Sequence, residues 1–401
     1  MKQVYLKRGK EESLMRRHPW VFSGALHHID DDIDEGELVR VLTAGGDYIA
    51  TGHYQASSIA VRVLTFDDLP IDDHFWQQRL SAAWQLRQAA GLTGKSETNA
   101  FRLVHGEGDL LPGLVIDIYG HTAVMQAHST GMHLERRRIA EALQKVLPQK
   151  INNIYYKSET TLPYMAQIGE AENGFLVGGY DTDIAQENGL RFHVDWLRGQ
   201  KTGFFVDQRD NRSLLERYAR GRRVLNMFCY TGGFSFYALR GGASLVHSVD
   251  SSAKAIDLTR SNVQLNFPDD SRHEAYCEDA FRFLERIGRP DSPDHGQGYD
   301  LVVLDPPAFA KHRGALHNAL KGYIRLNAEA LSQMKPGSLL FTFSCSQVVT
   351  KDHFRAAAFT AAAQAGKEVS VLHQLHQPAD HPINIYHPEG EYLKGLVLYV
   401  R

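Results

Sequence analysis

Residues Leu301-Val302-Val303-Leu304-Asp305-Pro306-Pro307-Ala308-Phe309 read as a short strand that stops on a carboxylate. Four apolar residues in a row fit a strand buried on both faces. The two prolines after Asp305 remove two N–H donors and hold the backbone extended, so the strand ends there and presents a rigid turn. In an open α/β sheet, ligands bind at the carboxyl ends of the strands. Asp305 is therefore a site candidate, while an Asp-Pro-Pro that merely terminates a strand is the competing reading.

Strands and helices alternate on both sides of this stretch. Strands are expected at Arg223–Met227, Leu245–Val249, Glu274–Cys277, Leu339–Phe343, Val369–Leu372 and Leu393–Val400. Helices are expected near 209–219, 234–240, 253–266, 280–287, 316–334 and 351–365. Such alternation implies a seven-stranded, mostly parallel sheet covered on both faces, over residues 186–401. The last two strands have no helix between them, so the final strand can run antiparallel. Asp291–Gly298 reads as a polar insertion.

Upstream, residues 1–68 show short strands at Gln3–Leu6, Glu37–Leu42, Tyr48–His53 and Ala60–Leu64, the pattern of a small β-barrel. The turn His18–Gly24 carries Trp20 and Phe22, which would either stack bases or fill the barrel core. Residues 69–185 mix helices at Asp72–Ala90 and Met132–Val146 with strands at Phe101–His105, Leu114–Ile118, Thr122–His128, Ile154–Lys157 and Gly174–Gly178. This is an α+β middle domain whose sequence offers no chemistry of its own.

The chain has 401 residues with a net charge of −3, 43% hydrophobic and 23% charged content, an ordinary globular composition. It lacks a long apolar run and an apolar leader, which predicts a cytoplasmic protein without a membrane partner. Cys229, Cys277 and Cys345 are too scattered for a disulfide framework or a metal site, so no metal is expected. The near-neutral balance disfavours indiscriminate coating of nucleic acid. Two stretches are nonetheless basic: Met1–Trp20, and Arg198–Arg223 with Lys201, Arg209 and Arg212. These suit a selective polyanion, with a solvated surface as the alternative.

Asn226-Met227-Phe228-Cys229-Tyr230-Thr231-Gly232-Gly233-Phe234 forms a strand end, a glycine turn and a helix start. Glycines at a helix N-terminus let a ligand approach backbone amides. The pattern is not G-x-G-x-x-G, which weakens a nicotinamide dehydrogenase reading. Asp250 ends the next strand, where a carboxylate can accept from both hydroxyls of a ribose. Asp279, with the backbone of Ala280, follows the third strand and can meet an adenine edge.

Together with Asp305, this spacing resembles class I S-adenosylmethionine-dependent methyltransferases. At Asp305–Phe309 and Phe343-Ser344-Cys345-Ser346 the sequence is similar to the bacterial large-subunit ribosomal RNA cytosine-C5 methyltransferases that carry an N-terminal PUA domain. Matching stretches run from His18–Gly24 through Gly199–Arg212 and Asn226–Phe234 to Pro388–Gly395, covering nearly the whole chain. Ala308 departs from the pattern, where a lysine or other polar residue is expected.

The resemblance implies a PUA barrel, a middle domain and a Rossmann-like catalytic domain, with large-subunit rRNA as partner and a homodimer left open. It implies that Gln208, Asn226, Phe228, Tyr230, Thr231, Gly232, Gly233, Asp250, Asp279, Ala280 and Asp305 hold S-adenosylmethionine. Pro306, Pro307, Phe309, Lys201 and Arg209 would meet the RNA.

Cytosine C5 is a poor nucleophile until a thiolate adds at C6, and Cys345 stands at the end of the strand beside the one ending in Asp305. Asp305 would stabilise the base as the adduct forms. The target base must be unpaired or flipped. Two rivals remain: methylation of a base nitrogen with Cys345 structural, and a non-catalytic rRNA-binding factor. Cys229 is expected to pack or touch cofactor, Cys277 to be core, and His18, His381 and His387 to be structural.

Overall fold

The protein is described by a computed structural model covering residues 1–147, 151–163, 173–180, 183–289, 291, 298–310 and 312–401. Most of the polar insertion expected at Asp291–Gly298 lies outside these residues. The chain forms two compact units: Met1–Gly189 with Val194–Val206 and Ala379–Gly390, and Leu190–His193 with Asp207–Pro378 and Glu391–Arg401. Among the described residues no helix is long and apolar enough to cross a membrane.

In the first unit, a six-stranded sheet runs in the order Trp20–Phe22, Ile59–Thr65, Tyr48–Tyr54, Leu38–Leu42, Lys2–Leu6, Leu26–Ile29. Alternate residues such as Val4, Leu6, Val39, Val41 and Val61 fill its core, as a period of two requires. The segment read as a turn at His18–Gly24 is instead a strand followed by a 3-10 turn. Val21 points into the core; Trp20 stays half-buried and Phe22 is 48% exposed, so neither ring fills the barrel interior as one of the two readings required.

A five-stranded sheet completes this unit, in the order Gly174–Val177, Asn153–Tyr156, Thr122–Ala127, Leu114–Tyr119, Ala100–His105. Helix Asp73–Ala89 packs on it, capped by the Asp72 carboxylate accepting from the Phe75 amide. The single helix expected at Met132–Val146 breaks at Glu135 into Thr130–Leu134 and Arg136–Val146.

This unit also holds a network of buried charges. The Arg87 guanidinium pairs with both oxygens of Asp109 and donates to the Asp380 carbonyl at 2.8 Å. Arg102 holds Asp117 at 2.7 and 2.9 Å, and its own amide donates to Asp380 Oδ2 at 3.0 Å. Thr202 adds a hydroxyl to Asp117 at 2.6 Å. The rings of His105 and His381 lie 4.9 Å apart, tilted, and burial with the surrounding cations holds His105 well below the usual histidine range. Segment 379–390 is thus a constituent of this core.

The second unit contains a seven-stranded sheet: β1 (Arg223–Met227), β2 (Leu245–Asp250), β3 (His273–Cys277), β4 (Leu301–Leu304), β5 (Leu339–Ser344), β6 (Val369–His376) and β7 (Lys394–Val400). Their order is β3-β2-β1-β4-β5-β7-β6. The first five run parallel, and β7 is antiparallel to both β5 and β6. Among the described residues, six helices accompany it: α1 (Arg209–Ala219), α2 (Gly233–Arg240), α3 (Ala253–Asn266), α4 (Ala280–Gly288), α5 (Leu316–Gln333) and α6 (Lys351–Gln364). Aliphatic residues of β1, β4 and β5 pack with Leu326, Leu331 and Phe354 of the covering helices. The strand order reverses between β1 and β4, the place where such sheets open a crevice. Cys277, expected in the core, is exposed because β3 is an edge strand.

Candidate active site

At the carboxyl end of β1 the chain turns sharply. Phe228 and Tyr230 take left-handed φ values of 58° and 48°, and Gly232 takes 85°. Non-glycine residues in that region carry strain, which surrounding contacts must hold. Here Cys229 N donates to the Val249 carbonyl, Thr259 Oγ1 of α3 donates to the Tyr230 carbonyl at 2.9 Å, and Asn262 donates to that of Thr231. A side chain at Gly232 would meet Thr259 Cγ2 at 2.7 Å, so the turn admits only glycine without a shift. Cys229 is buried against Thr259, and burial with the nearby Asp250 charge pushes its thiol up, as suits a packing residue.

Asp250, at the end of β2, accepts from Tyr230 N at 3.0 Å and Ser252 N at 2.9 Å. These bonds tie the carboxylate to the turn. Asp279 is exposed and caps α4, accepting from the amides of Phe281 and Arg282 through one oxygen; Ala280 is buried behind it. Asn226 donates to Ser235 at 2.9 Å, while its Oδ1 is buried and meets no hydrogen-bond partner among the described residues. An unsatisfied buried acceptor at a strand end costs free energy unless a ligand donor meets it.

Across the switch point, Asp305 follows β4. Gln208 Nε2 donates to Asp305 Oδ2 at 3.0 Å, and Asn211 fixes that glutamine at 2.6 Å. Burial, then the nearby Asp207 charge, push the Asp305 carboxyl up to about 7, against the pull of Gln208 and Arg212. At neutral pH it is thus divided between donor and acceptor forms. Asp207 accepts from Tyr392 at 2.7 Å. Pro306 is buried and Pro307 exposed, and Phe309 packs on Tyr323 at 4.6 Å.

Cys345 follows β5 directly, half-buried, with Sγ 4.0 Å from the Pro306 carbonyl. Next to it, Ser344 donates to the Tyr323 hydroxyl at 2.9 Å; burial pushes that phenol up to about 12. Cys345 and the Asp-Pro-Pro turn therefore share one edge of the sheet.

The basic side chains expected in an RNA-facing stretch behave differently from one another. Lys201 is exposed, whereas Arg209 and Arg212 are 2% exposed and do not contribute to a solvent-facing patch. Arg212 runs inward, within 3.1 Å of where a Gly233 side chain would begin and close enough to Asp305 to draw its pKa down. Its role at the glycine turn was not legible from the basic composition around it. Lys394 is buried and donates to the Ser346 and Val349 carbonyls, and a lone lysine inside Leu393–Val400, otherwise apolar or aromatic apart from glycine, is the signal of it in the sequence.

The donor set fits S-adenosylmethionine. Asp250 suits a ribose diol, the orphaned Asn226 Oδ1 suits an amine, and buried Arg212 beside Gly233 suits a carboxylate.

Comparison with known proteins agrees with this arrangement. Residues 172–385 match the S-adenosylmethionine-dependent methyltransferase family, and residues 4–66 match a PUA-like domain. The chain is 40% identical over 400 residues to the ribosomal RNA large subunit methyltransferase I of Tolumonas auensis, covering 98% of each. It is 38% identical over 403 residues to the protein of that name from Aeromonas hydrophila, covering 99% of each. A crystal structure of a methyltransferase complexed with SAH, 22% identical, superposes over 100% of both chains with a TM-score of 0.85 and shares the fold. The chain belongs to the S-adenosylmethionine-dependent methyltransferases, in the ribosomal RNA large subunit methyltransferase I family with its PUA-like N-terminal domain.

Proposed function

We propose that this protein methylates C5 of a cytosine in large-subunit ribosomal RNA through a covalent adduct on Cys345. The observation that carries the reading is the meeting of the Cys345 thiol with the Asp-Pro-Pro turn, Sγ to Pro306 O at 4.0 Å, beside a carboxyl titrating near 7. That both relatives are ribosomal RNA large subunit methyltransferases supports large-subunit rRNA as the substrate.

S-adenosylmethionine supplies an electrophilic methyl group. Asp250, Asp279, Ala280, Asn226 and the Phe228–Gly233 turn would hold it, together with Gln208, Arg212 and Asp305. The base lies between Cys345 and Asp305, against Pro306, Pro307 and Phe309. The Cys345 thiolate forms a bond to C6, and the C5=C6 electron pair becomes available at C5. Neutral Asp305 donates a hydrogen bond to N3 as charge develops there. After methyl transfer, the C5 proton passes to solvent and the C6–S bond breaks, returning its electrons to sulfur and restoring the C5=C6 bond. The PUA-like segment and Lys201 hold the RNA backbone, while buried Arg209 shapes the site from within.

The test is incubation with tritiated S-adenosylmethionine and unmodified large-subunit rRNA, followed by digestion to nucleosides. We expect label in 5-methylcytidine, reduced at least about a thousandfold in Cys345→Ala, the scale on which loss of a covalent nucleophile acts. Label in another nucleoside, or an active Cys345→Ala protein, removes the mechanism. If Cys345 were structural and a base nitrogen the acceptor, the mutant would retain its activity.

A further inference from the structure

A nucleophilic cysteine needs a positive charge near its sulfur, because a free thiol titrates near about 8.5. Lys394, the first residue of β7, is the register partner of Ser344, the last residue of β5. Opposed residues of an antiparallel pair project to the same face, so this lysine is delivered to the base of the turn that begins with Cys345. Its side chain is buried at 5% exposure. The ammonium donates to the Ser346 carbonyl at 2.5 Å and the Val349 carbonyl at 2.6 Å, bracing the segment that carries the thiol. A second brace comes from Ser346 Oγ, which donates to the Ala310 carbonyl at 2.6 Å.

Among the described residues, the charged groups facing Lys394 are Cys345, Glu391 and Lys351. Glu391 and Lys351 form an ion pair with each other, so their opposite influences on Lys394 offset. The two carbonyls that accept from the ammonium are neutral, which leaves the Cys345 thiolate as the anion this buried cation favours. Burial lowers the Lys394 ammonium to about 8, and the thiolate opposes that fall. At neutral pH the lysine therefore stays mostly charged.

We propose that Lys394 is the positioning residue of Cys345: its buried ammonium fastens the turn after β5 and supplies the positive charge that favours the thiolate. The proposal rests on Cys345 being the nucleophile, but its test reads the thiol directly. In the full chain carrying Cys277→Ser, which removes the exposed competing thiol, the alkylation of Cys345 by iodoacetamide is followed against pH by peptide mass spectrometry. Lys394→Met should move the alkylation midpoint upward and slow the reaction near neutral pH by about fivefold or more, since the thiolate is the reacting form. Lys394→Arg, which keeps the charge, should restore most of the rate. An unchanged midpoint in Lys394→Met, or faster alkylation at every pH from a loosened turn, overturns the proposal.

Should Lys394→Met not fold, the reciprocal measurement decides. The Lys394 side-chain nitrogen, followed by NMR in the parent and in Cys345→Ser, should titrate at lower pH once the thiolate is gone; equal midpoints overturn the proposal. The two readings fail separately. A Cys345→Ala protein that still methylates sinks the nucleophile, whereas an unmoved alkylation profile sinks only the lysine's part.

Discussion

Two acids, one buried and one partly buried, are treated in opposite ways in this molecule. Asp109 of the first unit has 1% of its side chain exposed and faces a guanidinium, Arg87, that is wholly buried with it. Asp305 of the second unit sits beside an amide donor, Gln208, and an acidic neighbour, Asp207, and rises to about 7. Pairing satisfies a buried charge and fixes architecture, whereas a carboxyl left near neutrality can exchange a proton. The difference separates a carboxylate used for structure from one available for chemistry.

The largest effect should come from breaking the pair. Asp109→Asn leaves the Arg87 guanidinium buried without its counter-charge and should lower the stability of the first unit by about 3–5 kcal/mol, read from its urea transition. The double replacement Arg87→Met/Asp109→Leu should recover most of that loss. A single mutant as stable as the parent would erase the contrast.

Asp305→Asn should do the reverse. Methyl transfer near pH 6.5 should fall roughly tenfold to a hundredfold, and the decline in rate as pH rises through about 7 should vanish, because an amide does not ionise. Stability moves the other way. A carboxyl whose folded pKa lies above its unfolded value of about 3.9 penalises the fold increasingly from there up to the folded pKa, so Asp305→Asn should gain up to about 4 kcal/mol above pH 7 and almost nothing at pH 4. A stability gain equal at both pH values would deny the shifted carboxyl.

The smallest effect sharpens the second half of the contrast. Gln208→Leu removes a hydrogen bond that draws the Asp305 pKa down, so the alkaline limb of the rate profile should move upward by about half a unit. A downward shift would mean that the glutamine acts on the neutral form instead.

Much of this was legible in order along the chain. Strong periodicity and turn chemistry gave the strands of the second unit to within a few residues, and Asp250, Asp305 and Cys345 follow from where those strands stop. What escaped was whatever depends on contacts distant in sequence. Arg209 and Arg212 look like surface cations in a basic stretch, yet α1 turns them inward. Cys277 has the flanks of a core residue, but sheet order leaves β3 at an edge. Trp20–Phe22 was hidden as a strand because Pro19 and Gly24 punctuate so short a run. Asp380 gives no local hint that it binds the Arg102 amide, 278 positions away in sequence.

That long reach bears on how the chain is made. The first unit takes Ala379–Gly390 into its core, so Arg87 and Arg102 wait for the Asp380 segment until the ribosome has passed the second unit's strands β1 to β6. At translation speeds of about 5–20 residues per second, the interval between Gly189 and Ala379 is roughly ten to forty seconds. Through that interval the Arg87 guanidinium lacks the Asp380 carbonyl and the Arg102 amide lacks the Asp380 carboxylate. Folding of this unit is therefore completed from the C-terminal side, and a ribosome that stalls in the second unit leaves the first one unfinished as well.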